Sequence, residues 1–563
     1  MMKEKYSVRS DMLAKYGKNR RLSSVPEAVP SVQCENGIFI GKTLGGVTSY
    51  KGVPYAKPPV GLRRWKRAKA ADKSEEIFEA YYNAKSPIQT EWETEVASFY
   101  PQGEDCLYLN VWVSEEDKTE RKPVMVFFHG GSYGWGGTAD PLYDGHNLVA
   151  SHKDIILVTV GYRTGIMGFV DFSSVPGGEE YKDAPNLGLL DQIEALRWIR
   201  SNIVFFGGDR DNVTIFGESA GGGSVSLMPV IQEAKGLFKR VIAQSGNVAL
   251  TFSKKECEFF TKKLLKESGC SDMKELQALS EDQLKKVNEK LNFYNNFPER
   301  DGRIIPEDPY IPYLEGETSG IDMMIGTNKN ETNYWVGELG GIVPYMMTAP
   351  LKYENDIKGL DRPDLKRVEE FIKIVKQRCK RMVWCRTEFY NELLFRLPSI
   401  RQAEGHSKNG GHTYMYYWTE PSTIKYRGAC HAVELSYVFG NTEETIYTGS
   451  PADKKLSELV GDMWVNFARS GNPGTNKLSW PEYDVSERKT MVIGRKSRVV
   501  SDPLKKEREL LFPLLDHWIS PSYAILNMNV PYVRKLGIGA ALTLSGVAGA
   551  FVLLYKAIRR DRL

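Results

Sequence analysis

The sequence predicts an α/β protein with a large, mostly parallel central sheet and helices on both faces. Short β-branched apolar runs recur along the chain, turn signals follow them, and helical spacing fills the intervals between them. The length of 563 residues fits several domains, but one large sheet enzyme can carry it as well. Hydrophobic residues at 41% and charged residues at 26% exclude a wholly disordered chain. Mean hydropathy of −0.39 excludes a polytopic membrane protein, though not a single span. A formal net charge of +4 is too weak an average to argue for nucleic-acid binding. Seven cysteines in this length do not make a disulfide scaffold.

The elements follow in order. Residues 1–22 carry Lys3, Lys5, Arg9, Lys15, Lys18, Arg20 and Arg21 against Glu4 and Asp11, with no apolar run after them, so this stretch does not read as a secretory signal peptide. This basic extension, taken as 1–27, reads as a solvated, frayed tail; a membrane-surface or partner-binding arm is the other reading. Val124–Phe128, Ile155–Val160, Val213–Phe216 and Val241–Ala243 read as buried parallel strands, and Met323–Ile325 and Tyr414–Trp418 as later ones. Asn186–Arg200 has helical spacing of Leu190, Ile193, Leu196 and Trp198. Glu256–Leu265, Met273–Leu291 and Leu365–Leu397 read as helices between strands, forming a cap over the sheet edge.

Two glycine-rich turns carry the chemistry. Gly217-Glu218-Ser219-Ala220-Gly221 follows a predicted strand and opens a helix. A turn that tight strains its middle residue and presents Ser219 above the sheet, with helix N-terminal N–H groups facing whatever bonds to it. The pattern alone is weak; its place between strand and helix gives it weight. His129-Gly130-Gly131-Ser132 follows the strand Val124–Phe128 upstream, where bare backbone N–H groups can reach a developing negative charge.

With these motifs in hand the chain resembles the type-B carboxylesterases, the family of cholinesterases and bacterial para-nitrobenzyl esterases. The matching stretches are Tyr50-Lys51-Gly52-Val53-Pro54-Tyr55-Ala56, Glu104-Asp105-Cys106-Leu107-Tyr108-Leu109-Asn110-Val111, Asn186-Leu187-Gly188-Leu189-Leu190-Asp191-Gln192 and Phe206-Gly207-Gly208-Asp209, leading into Val213–Gly221. The resemblance covers about residues 30–515 and implies an α/β-hydrolase fold. It also implies the remaining catalytic residues. The acid is Glu331, in Gly326-Thr327-Asn328-Lys329-Asn330-Glu331; the base is His431, in Gly428-Ala429-Cys430-His431-Ala432-Val433-Glu434-Leu435. His431 would deprotonate Ser219, Glu331 would orient the imidazole, and N–H groups of Gly130 or Gly131, Ser132 and Ala220 would hold the oxyanion. Neither a metal nor an organic cofactor is implied. The expected activity is serine carboxylesterase on a small-molecule ester. Amide, thioester or lactone cleavage on the same triad is the alternative, and a non-catalytic adhesion or scaffold role is a lesser one because all three triad residues remain.

Many relatives have Gly where Ser132 stands, so its side chain is expected to narrow the acyl side, with Tyr133 and Trp135 as aromatic wall. Glu218 is expected to order water or a cationic leaving group, or to serve the fold. The resemblance further implies buried ion pairs of Arg64 with Glu104 and of Arg163 with Asp209. Secreted members bridge the cysteine equivalent to Cys106, and a second bridge would use Cys270; neither expected partner region holds a cysteine, which suits a reducing compartment.

The C-terminus is the last element. Leu536–Tyr555 is twenty residues without charge, flanked by Arg534 and Lys535 before and by Lys556, Arg559, Arg560 and Arg562 after. As a helix it would be ~30 Å long, the thickness of a bilayer core. Ala541, Ser545 and Gly549 fall four apart, a spacing that allows close helix contact and a homodimer. The chain is thus divided into the basic extension 1–27, a catalytic domain 28–520, a linker 521–535, a transmembrane anchor 536–555 and a basic tail 556–563. A single-pass tail anchor with the catalytic domain in the cytosol is expected, although the positive charge after the span argues the opposite orientation. Both ends are basic, so the body between them is net acidic.

Overall fold

Fifteen strands run along the described chain: β1 (Arg21–Leu22), β2 (Ser31–Cys34), β3 (Gly37–Ile40), β4 (Lys42–Leu44), β5 (Val47–Pro54), β6 (Ile77–Glu79), β7 (Tyr108–Ser114), β8 (Lys122–Phe128), β9 (Ile156–Val160), β10 (Gly208–Glu218), β11 (Arg240–Gln244), β12 (Asp322–Asn328), β13 (Thr413–Trp418), β14 (Lys489–Ile493) and β15 (Arg498–Ser501). This is a computed structural model, and it describes residues 2–92, 95–116, 121–291, 297–338, 360–378, 387–519 and 521. Eleven strands form one sheet in the order β15-β14-β13-β12-β11-β10-β8-β9-β7-β5-β4; β1, β6, β3 and β2 form a small second sheet. The middle of the large sheet, β14 through β9, is parallel. Its outer pairs are antiparallel, which makes the sheet mixed.

The strands alternate between two cores because successive side chains leave opposite faces of a strand. Val124, Val126 and Phe128 of β8 enter one core with Val213 and Ile215 of β10. Met125 and Phe127 enter the other with Phe216. Helix Leu187–Asn202 covers the first face through Leu190, Ile193, Leu196 and Ile199. Helix Lys454–Ser470 covers the second through Val460, Met463, Trp464 and Phe467. Both faces are covered, as a central parallel sheet requires.

Several helical expectations change. Met273–Leu291 is two helices, Met273–Ala278 and Glu281–Lys290, because Ser280 and Gln283 form a capping box that starts the second. The stretch expected over Leu365–Leu397 is described as Arg362–Arg378 and then, beyond undescribed residues, as helix running on to Lys408 through a π-helical turn at Asn391–Arg396. The N-terminus is not a frayed tail. Residues Met2–Ala14 form a helix, and Met12 is buried with Phe99, Tyr100 and Ala139. Val8, Met12 and Tyr16, spaced four apart, supply the apolar stripe that a count of charges hides.

Arg64 and Glu104 pair as expected, both side chains buried. Arg163 does not pair with Asp209. Its guanidinium grips Asp191, Nε to Oδ2 at 2.8 Å and Nη2 to Oδ1 at 2.6 Å, with both side chains fully buried. Asp191 lies on the inner face of helix Leu187–Asn202 and meets the chain just after β9, whereas Asp209 is half-buried and caps its own turn by accepting the Asp211 N–H. Cys34, Cys106, Cys257, Cys270 and Cys430 are all free thiols. Among the described residues no helix is long and apolar enough to cross a membrane, and the apolar segment 536–555 lies outside them.

Candidate active site

The C-terminal ends of β8, β10 and β12 and the loop after β13 converge above one edge of the sheet, where ligand sites of open parallel sheets gather. Ser219 sits between β10 and helix Ala220–Leu227 at φ 58° and ψ −120°. Such backbone costs about 1–3 kcal/mol and persists only where its surroundings enforce it. Here the Ser219 N–H donates to Gln244 O at 2.9 Å, and Ser219 O accepts the Gly223 N–H at 2.8 Å. The flanking glycines are required by space. A Cβ on Gly217 would lie 2.5 Å from Gly221, and one on Gly221 would lie 1.9 Å from Phe128 O.

Glu331 is fully buried in the turn after β12. Its Oε1 accepts the Asn328 N–H at 2.6 Å and the Ser245 hydroxyl at 2.7 Å; its Oε2 lies 2.7 Å from His431 Nδ1. A carboxylate held this way fixes both the orientation and the tautomer of the imidazole. Asn391, on the π-helical turn, clamps the same loop: its Oδ1 accepts the Thr332 N–H and hydroxyl, each at 2.8 Å, and its Nδ2 donates to Lys329 O. π turns recur at functional sites because they re-aim side chains that a regular helix could not.

The other imidazole nitrogen, Nε2, lies 3.1 Å from Glu218 Oε1. Neither atom has an aligned hydrogen bond among the described residues. Burial lowers the affinity of His431 for a proton, while the neighbouring carboxyl groups of Glu218, Glu331 and Glu434 act in the opposite direction and raise it. Burial also raises Glu218 well above the usual carboxylate range. A protonated Glu218 exerts no charge on His431. With Glu218 neutral its pull on the imidazole falls away, so the rise at His431 is smaller and the ring stays available as a base.

The upstream loop brings the donors. Gly131 has φ 98°, and Ser132 and Tyr133 follow at 50° and 55°. This left-handed run turns the backbone so that no N–H of Gly130, Gly131 or Ser132 meets a protein acceptor among the described residues. Gly130 faces the nucleophile: a Cβ there would be 3.1 Å from Ser219 Cβ and 2.8 Å from Glu218 O. Ala220 opens its helix, where the first N–H has no helical partner. Behind the loop the Tyr162 hydroxyl donates to His129 O at 2.7 Å, with the two rings stacked 4.3 Å apart. Burial pushes His129 down to about 4, so it stands neutral in this packing.

The expected substrate-facing residues divide. Tyr133 is fully buried, its ring against Phe169 and Phe297, so it supports the loop and offers no open wall. Trp135 is half-buried and lies 6.0 Å from Trp92. Glu218 is buried between His431 and Gly130. Residues not singled out from the sequence surround the imidazole: Trp335 at 5.2 Å, Phe395 at 5.1 Å and Tyr334 at 6.4 Å between ring centres. Tyr334 and Trp335 follow Glu331 closely, an aromatic pair beside a candidate acid that could have drawn notice. Ser245 directly follows β11 at φ 48° in Gln244-Ser245-Gly246, and its place just past a strand's C-terminal end was the available signal.

A model described as the carboxylesterase family matches residues 28–511. The chain is similar to the para-nitrobenzyl esterase of Bacillus subtilis, 35% identical over 500 residues, covering 86% of this chain and 98% of that one. It is 32% identical over 535 residues to carboxylesterase 1E of Rattus norvegicus, covering 82% and 90%. A crystal structure of a Geobacillus stearothermophilus carboxylesterase superposes with a TM-score of 0.77 at 30% identity, covering 85% of this chain and 99% of that one.

Proposed function

The chain belongs to the carboxylesterase family, and on that premise we propose that it hydrolyses small carboxylic esters through an acyl-enzyme on Ser219. The reading rests on one arrangement: a serine forced to φ 58° at a strand–helix turn, and a histidine whose Nδ1 is held 2.7 Å from a buried glutamate while its Nε2 lies 3.1 Å from Glu218, the residue before that serine. Ser219 Oγ attacks the carbonyl carbon as His431 Nε2 takes its proton. Glu331 stabilises the imidazolium without accepting the proton. N–H groups of Gly130 or Gly131, Ser132 and Ala220 bind the oxyanion, His431 protonates the leaving alcohol, and water then repeats the sequence to release the acid. No metal or organic cofactor enters these steps. A fluorophosphonate probe tests the nucleophile. Stoichiometric labelling with the adduct mapped to Ser219 is expected; a labelled peptide elsewhere, or none, would overturn the assignment.

We also infer a C-terminal anchor at residues 536–555, with 28–520 as the catalytic domain, 521–535 as linker and 556–563 as tail. The support is the uncharged length and basic flanks of the segment. Deleting 534–563 is expected to move the enzyme from the membrane pellet to the soluble fraction with kcat/KM intact. Continued pelleting would remove the anchor. Protection of the domain from protease added to intact cells, with digestion once the cells are opened, would support its cytosolic placement, and crosslinking of Gly549 variants would test pairing through the small-residue face.

A further inference from the structure

The first 27 residues lie outside the part of the chain that matches the family, yet Met12 and Asn19 are tied to a loop and the chain leading into it, and that loop reaches the glycine-rich segment before the candidate site. The tie runs through the loop between Ser86 and Gln102. The base of this loop is closed by hydrogen bonds: Ser86 N–H to Pro101 O at 2.9 Å, Gly103 N–H to Ser86 O at 3.0 Å, Gln89 N–H to Gln102 Oε1 at 3.0 Å and the Ser86 hydroxyl to Ala97 O at 3.0 Å. Cys106, just beyond, is a free thiol. On its outer side the loop carries the N-terminal helix Met2–Ala14. Met12 is 3% exposed and packs with Phe99 and Tyr100, the Tyr16 ring meets Tyr100 edge-on at 5.5 Å, and Arg9 pairs with Glu91 at 2.7 Å. Burying Met12 contributes more than the exposed ion pair.

The strap is pinned at its other end. The Asn19 side chain donates to Lys51 O and Tyr82 O and accepts the N–H groups of Tyr81 and Tyr82, at 2.9–3.1 Å. On its inner side the loop grips the segment that carries the candidate oxyanion donors. The Gln89 amide exchanges two hydrogen bonds with Gly136, at 2.7 and 2.9 Å. Asp140, which follows Ala139, accepts backbone N–H groups of Val96 and Ala97, and Trp92 lies 6.0 Å from Trp135. A continuous set of contacts therefore runs from Met12 to Trp92 and Trp135, and on to the glycine loop, where a Cβ on Gly131 would lie 2.5 Å from Trp135 O.

We propose that residues 2–20 are a strap that holds the loop Ser86–Gln102 against the segment Gly130–Ala139, so that Met12 and Asn19 position Trp92 and Trp135 and set the fit of bulky esters. The proposal rests on Ser219 being the nucleophile. Met12 and Asn19 act here as positioning residues, remote from the reacting atoms.

The experiment uses the full chain, with p-nitrophenyl acetate as the small ester and 1-naphthyl benzoate as the bulky one. Met12→Asp is expected to raise KM for 1-naphthyl benzoate about fivefold or more. KM and kcat for p-nitrophenyl acetate and the fluorophosphonate labelling rate should stay within about twofold. New chymotryptic cleavage between residues 86 and 102 should appear, and Met12→Leu should behave as wild type. Should Met12→Asp fail to fold, Tyr16→Ala carries the same test. Unchanged KM for the bulky ester would overturn the strap. So would a parallel loss on both esters that tracks a fall in melting temperature, since that is general destabilisation. Failure of the wild-type protein to label would overturn the nucleophile itself and is read separately.

Discussion

Ser219→Ala is expected to lower kcat for p-nitrophenyl acetate by about 10⁴- to 10⁶-fold, with the melting temperature and KM little changed. The size follows from removing the attacking atom: the acyl-enzyme route closes, and what remains is binding plus the oxyanion donors. At 10⁵-fold the loss is ~7 kcal/mol of barrier. The fold should tolerate the change because alanine keeps the Cβ and the backbone around it is held independently. The Ser219 N–H still reaches Gln244 O, Gly223 still donates to residue 219, and Gly217 and Gly221 still leave room for the turn. Steady-state hydrolysis with the uncatalysed rate subtracted, together with thermal unfolding, checks both halves. Activity near that of wild type would end the assignment. A collapse in stability would show that the hydroxyl serves the turn instead.

The centre of the fold was legible because buried parallel strands read as unbroken apolar runs. Val213–Phe216 was visible, yet β10 begins at Gly208, since Gly208–Asn212 is polar and carries no apolar pattern. The outer strands β5, β7, β14 and β15 were not read; at the antiparallel margins of the sheet the apolar run is interrupted by residues such as Lys51, Asn110 and Arg498. The helix break at Ser280 was written in Ser280-Glu281-Asp282-Gln283, but the periodicity of the leucines runs across it. At the site, the glycine-flanked strand–turn–helix pattern pointed to Ser219, whereas Glu331 and His431 came only from the resemblance to the carboxylesterases. The groups that hold them were not visible. Ser245, Asn391 and Glu331 come from three distant parts of the chain and share one cluster only after the sheet has formed. The docked N-terminus was hidden by its charges, which lie beside an apolar stripe only three residues long.

Asp191→Ala is expected to destabilise the protein by about 3–5 kcal/mol, and Asp209→Ala by no more than ~0.5 kcal/mol. The contrast follows from where each carboxylate stands. Arg163 is 1% exposed and has three bonds to Asp191, two from the guanidinium and one from its backbone N–H, plus one from Nη1 to Lys66 O at 2.8 Å. Removing Asp191 strands a guanidinium in the core, and the penalty is the uncompensated charge more than the lost attraction. Replacing both partners, Arg163→Met with Asp191→Leu, should recover most of the loss, because the pair itself adds little beyond an apolar contact of the same volume. Urea denaturation followed by tryptophan fluorescence measures the three variants. Equal costs for Asp191→Ala and Asp209→Ala would contradict the observed pairing. The site should respond as well. Tyr162, next to Arg163, donates to His129 O, and Gly165 donates to Tyr133 O at 2.7 Å, so the anchored segment braces the loop Gly130–Tyr133 from behind. Loosening Arg163 should therefore lower kcat more than it raises KM, since oxyanion donors act most strongly on the transition state. The double variant should regain stability before it regains kcat, because an apolar pair fills the volume without reproducing the fixed orientation of the guanidinium.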